Sequence, residues 1–101
     1  MKVMEHSEFM QKIEKIEGQI MEEVDGSKEY MTCSNKWAGT DISISSTYAG
    51  MAKQELDHAT KLNSILNEMR NKPEMSDDQK AVIAFLVEMN SSQIRKATAD
   101  R

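Results

Sequence analysis

Proline occurs once in this 101-residue chain, cysteine once and glycine four times. Aromatic residues are limited to one tryptophan, two tyrosines and two phenylalanines. So few turn-forming residues leave little room for a sheet, which needs a turn between every pair of strands. Cys33 has no second cysteine to pair with, so an intrachain disulfide is excluded. That fits a reducing compartment, and the expected location is the cytoplasm or the inside of a protein particle. A basic surplus is also missing. Thirteen lysines and arginines stand against seventeen acids, net −4, scattered without a stripe, so no nucleic-acid partner is expected. The longest apolar run, AVIAFLV at 81–87, is far too short to cross a bilayer. The opening MKVMEHSEFM lacks the apolar stretch of a secretory signal. Neither membrane nor export is expected.

What is present is helical. Hydrophobic residues at 39% and charged residues at 30% suit a single surface-rich domain over 1–101. Two breaks divide it. AGTD at 38–41 supplies Gly39 to end one helix in the left-handed conformation and Thr40 or Asp41 to cap the next. NKPEMS at 71–76 holds the only proline, and Ser76 with Gln79 reads as a capping box. Helices are therefore predicted over roughly 4–37, 41–71 and 77–99.

The apolar spacing gives each helix a face. In the first, Phe9, Ile16, Glu23, Tyr30 and Trp37 alternate with Ile13, Ile20, Ser27 and Ser34 at steps of four and three. In the second, the same steps give Ile44, Tyr48, Met51, Glu55, His58, Leu62, Ile65 and Met69. The third carries Val82, Ile83, Leu86, Met89, Ile94 and Ala97 on one broad face, with Glu88 at its solvated edge. Three ionisable residues thus fall on apolar seams: Glu23, Glu55 and His58. Glu22 competes with Glu23 but points about 100° away from the seam.

A short connection makes the first two helices antiparallel, with facing residue numbers totalling about 79. Glu23 then lies level with Glu55 and His58, about 25 Å from the turn. Two carboxylates and an imidazole suit iron, with manganese or zinc as alternatives. The other reading is a metal-free polar network that fixes register. Bundle di-metal sites use two lone glutamates and two Glu-x-x-His pairs, and this chain supplies one of each. A twofold axis would bring the missing half from a second copy, so a homodimer or higher homo-oligomer is expected.

The chain resembles the ferritin-like superfamily, nearest its rubrerythrin-like branch. The resemblance rests on Glu23, Gly26 and Tyr30, then on Tyr48 seven residues ahead of Glu55, His58 and Ala59, and covers about residues 9–70. Full members carry the motif twice in one four-helix chain; this one carries it once, like the half-ferritins, encapsulated ferritins and small phage-type members. The resemblance implies an all-α fold, a long antiparallel hairpin plus a third helix, completed to a four-helix-type bundle by dimerisation. It implies Glu23, Glu55 and His58 as metal ligands and Tyr30 and Tyr48 beside the cluster, although either tyrosine also reads as a core aromatic. It further implies a di-iron cofactor, ferroxidase- or peroxidase-type oxidation of Fe(II), and an enclosing protein shell or capsid as a partner. The contrasting reading is a ferritin-like scaffold or interaction protein, metal-free or with a structural metal. No Cys-x-x-Cys pair marks a built-in reductant. His6 is expected at the surface, Cys33 as a small buried hydrophobe, and Met51 as core filler one turn from Glu55. Gly18 and Gly26 each cost their helix about 1 kcal/mol relative to alanine, and Gly26 reads as a point of close helix approach.

Overall fold

The computed structural model describes residues 3–99, so the expected domain span reaches past it at both ends. Three helices run α1 (His6–Trp37), α2 (Ile42–Met69) and α3 (Asp77–Ala99), with no strand among the described residues. The all-α expectation holds, and helix ends differ from it by two residues at most. None of these helices is long and apolar enough to cross a membrane.

Local chemistry sets the boundaries. Asp41 adopts an extended backbone, and its carboxylate accepts from the amides of Ser43 and Ile44, capping α2. Ser76 and Gln79 form the reciprocal capping box of α3, at 3.0 and 3.1 Å. Gly39, however, does not end α1 in a left-handed conformation, since no described glycine has positive φ. Ala38 stays right-handed, and the Trp37 carbonyl accepts from both Thr40 and Asp41 amides. The extended Asp41 then breaks the spiral, so the reversal needs no glycine.

α1 and α2 pair in the expected register. Ser34 and Ser45 donate to each other's carbonyl oxygens at 2.8 Å, and their hydroxyls lie 3.0 Å apart. α3 then folds back onto its own chain, parallel to α1. The Gln79 amide donates to the Met4 carbonyl, and Asn63 of α2 donates to the Val87 carbonyl and the Ser91 hydroxyl. The result is a rod of 60 × 19 × 13 Å. Its core joins Phe9, Ile13, Ile20 and Val24 of α1, Ala59 and Leu66 of α2, Met75, and Ile83 of α3.

The buried residues shift by one column from the predicted seam on α2, but on α1 they include Phe9 and the whole interleaved series. On α1 they are Phe9, Ile13, Ile20, Val24, Ser27 and Ser34; on α2, Ser45, Ala52, Leu56, Ala59, Asn63 and Leu66. Beyond Phe9, the columns containing Glu23 and Glu55 are at most half-buried, with Trp37 exposed and Ile65 48% exposed. Small alanines and serines let the helix backbones approach, and on α2 hydropathy spacing does not register Ser45, Ala52 and Ala59 as core. α3 packs along one side of the hairpin, at Glu17 of α1 and Asn63 of α2.

On α3 the predicted face is also rotated. Only Ile83 and Ala97 of it are buried, while Val82 and Met89 are each 43% exposed. The fully buried centre is Asn90. Its amide donates to Asn63 Oδ1 at 3.0 Å and to the Glu17 carboxylate, so one polar layer ties all three helices. Asn90→Ala would strip two acceptors of their donor, one of them charged. The expected loss is about 1–3 kcal/mol of unfolding free energy, read from urea denaturation with an unchanged m-value. A change below about 0.5 kcal/mol, the range of neutral surface substitutions, would mean that water replaces the amide.

Candidate metal centre

Glu23 projects from α1, and Glu55 and His58 project from α2 one turn apart. The antiparallel register brings them level. One ligand atom from each lies within 4.8 Å of the others, the glutamates half-buried and His58 exposed. His58 Nδ1 stands 3.5 Å from Glu23 Oε2, within ion-pair range but long for a hydrogen bond. Gln19, Glu22, Lys61 and Leu62 border an open hollow beside Glu23 and His58.

The electrostatics of the trio are set by its two carboxylates. Glu23 Oε2 is shielded from solvent yet accepts no hydrogen bond. Hydrogen bonding to the Glu23 carboxyl, partial burial and repulsion by the Glu23 charge raise the Glu55 pKa above its ordinary value, against the opposing pull of His58. Two carboxylates at this separation hold a proton more tightly than either would alone. A divalent cation would take the place of that proton and satisfy the orphaned oxygen. The donor set of two carboxylates and one imidazole fits iron, manganese or zinc. Three side chains nevertheless leave such an ion with positions to fill.

The neighbouring candidates fall into place around the trio. Glu22 is exposed, so Glu23 is the carboxylate directed toward α2. Tyr30 and Tyr48 pack against each other with ring centroids 6.2 Å apart and planes tilted by 32°. They lie about 10 Å along the hairpin from Glu23 and Glu55, toward the connection. Among the described residues no hydrogen bond joins either hydroxyl to the trio. His6 and Glu88 are exposed and Met51 is half-buried. Cys33 is half-buried rather than buried, because its place on α1 is turned well away from the core column through Ser34. The Glu17–Asn63–Asn90 layer was not among the sequence candidates. Its signal was present: Glu17 stands four residues after Ile13 and three before Ile20, on the apolar face itself.

No protein-family model, no curated protein and no solved structure matches the chain. The arrangement of its own residues therefore carries the functional reading.

The raised Glu55 pKa has a definite consequence for the metal-free chain. The folded state binds more protons than the unfolded one, so the stability Glu55 contributes is present below its ordinary pKa and lost as pH rises through the raised value. Glu55→Gln keeps the shape, removes the charge and gives Glu23 a donor. In chelator at neutral pH this variant is expected to melt above the parent, and the difference should close below about pH 4. A parent that melts as high as Glu55→Gln at both pH values would show that the carboxylates do not strain the fold.

Proposed function

We propose that this chain is a ferritin-like di-iron carboxylate protein whose metal site is assembled between two copies and which oxidises Fe(II) in a ferroxidase- or peroxidase-type reaction. The observation that carries this reading is the convergence of Glu23, Glu55 and His58 within 4.8 Å around a carboxylate oxygen with no donor. Glu23 and Glu55 would hold the cations through anionic oxygens. His58 would contribute a neutral nitrogen from the solvent side of the trio. When bound, iron supplies the Fe(II)/Fe(III) couple that such oxidation requires.

Two features support a second copy. The three donors fall short of the complement an iron takes, and a twofold axis beside the trio would supply the same three again. The trio also lies among half-buried apolar side chains on the side of the hairpin that α3 leaves open, including Ile16, Met51 and Leu62. The chain exposes 6591 Å², against about 5,800 Å² for a compact monomer of its 11.5 kDa mass. That surplus is comparable to the roughly 800 Å² each partner buries in an ordinary interface.

Anaerobic loading with Fe(II) followed by air separates this reading from its rivals. The expected result is about two irons per pair of chains, rapid growth of ferric absorbance, and a light-scattering mass twice that of the chain. Glu55→Ala should abolish uptake. Binding of manganese or zinc without oxidation would instead indicate a structural metal. No uptake of any metal, with Glu55→Ala folding as the parent does, would leave a ferritin-like scaffold.

A further inference from the structure

Glycine inside a long helix costs about 1 kcal/mol relative to alanine, and α1 contains two. They differ in what surrounds them. A Cβ built on Gly18 would meet nothing within 4 Å. A Cβ built on Gly26 would lie 2.9 Å from Glu55 Oε2, 3.6 Å from its Cδ and 3.7 Å from its Cγ. Each of the three nearest atoms belongs to one side chain. The missing methyl group at position 26 therefore makes room for the Glu55 carboxylate, which lies along bare α1 backbone one turn beyond Glu23.

The identity of the crowded atoms decides what a methyl group there would do. If it met backbone, the helices would have to separate and the fold would suffer. Here it meets the far end of a flexible side chain, which yields by rotating. The helix would gain the propensity of alanine, and the whole displacement would fall on the carboxylate. Stability and site geometry are thus separable at this position.

We propose that Gly26 is the positioning residue for Glu55: by presenting no side chain it seats the Glu55 carboxylate beside Glu23 and His58, and so sets how tightly the trio takes a divalent cation. This rests on the metal-centre reading above. Gly18 has no such role and is the internal control.

The test titrates Co(II), followed by its visible absorbance, into the parent, Gly26→Ala and Gly18→Ala, with thermal melts of each in chelator. Gly26→Ala is expected to melt at or above the parent yet bind Co(II) about tenfold to a hundredfold more weakly, the range seen when a ligand loses its supporting neighbour. Gly18→Ala should also melt higher and bind as the parent does. In a Glu55→Ala background, where metal uptake is already lost, adding Gly26→Ala should raise the melting temperature by more than it does in the parent, because the crowded atoms are gone. Equal Co(II) affinity in Gly26→Ala and the parent would overturn the role of Gly26 while leaving the metal centre standing. Loss of helical signal in Gly26→Ala would also overturn it, by showing that the notch serves packing. A parent that binds no Co(II) would overturn the metal centre and this inference together.

Discussion

Two carboxylates of like charge, Glu23 and Glu55, are held at one level between two long helices, and the rest of the site depends on that juxtaposition. Left to itself the pair repels, and hydrogen bonding to Glu23, partial burial and that repulsion together raise the pKa of Glu55. The helices cannot relieve it by moving apart. Close approach is enforced on either side of the pair by small residues, the mutual hydroxyl–carbonyl bonds of Ser34 and Ser45 toward the connection and the buried Ala59 beyond His58. Packing fixes the distance, and the carboxylates stay level within it.

The hairpin carries a second polar layer that shows what a purely structural solution looks like. Glu17, Asn63 and Asn90 meet where all three helices touch, and both amide groups spend their donors on protein acceptors. The Glu17 charge is met by an amide, and only Asn90 Oδ1 is left without a partner. The Glu23 trio has the opposite character. It lies on the flank that α3 does not cover, its imidazole stands 3.5 Å from Glu23, and the shielded oxygen of Glu23 accepts nothing. One layer is closed by the chain itself but for one amide oxygen, and the other leaves a shielded carboxylate oxygen without a donor.

Much of this was legible in the sequence, and the misreadings share a cause. Helix number, the Asp41 cap, the Ser76–Gln79 box and the antiparallel register follow from local chemistry and chain length, and the structure has all of them. The level placement of Glu23, Glu55 and His58 follows from the same register. The α2 seam failed by one column because hydropathy weighs side chains by size and greasiness, whereas on α1 the interleaved series Ile13, Ile20, Ser27 and Ser34 is buried as expected. Ser45, Ala52 and Ala59 are core because they are small, and Asn63 and Asn90 because their amides are paired. Neither property appears in an apolar pattern. Gly39 was misread because a glycine near a helix end suggests a left-handed cap, whereas here the following aspartate does the work.

That one-column shift also changes what kind of place the trio occupies. Had Glu23 and Glu55 lain at the centre of the core, each would have faced a desolvation penalty of several kcal/mol. Such a site would then be unable to persist without its ion. At the margin they are partly buried, which raises the pKa of Glu55, yet they keep enough contact with water for the fold to hold them. On the proposed reading, such a chain would fold before metal arrives and take up cations afterwards. The exposed imidazole of His58 and the uncovered apolar border lie on the same flank. Were a second copy to close over that flank, burial of the trio and completion of its ligand set would be one event.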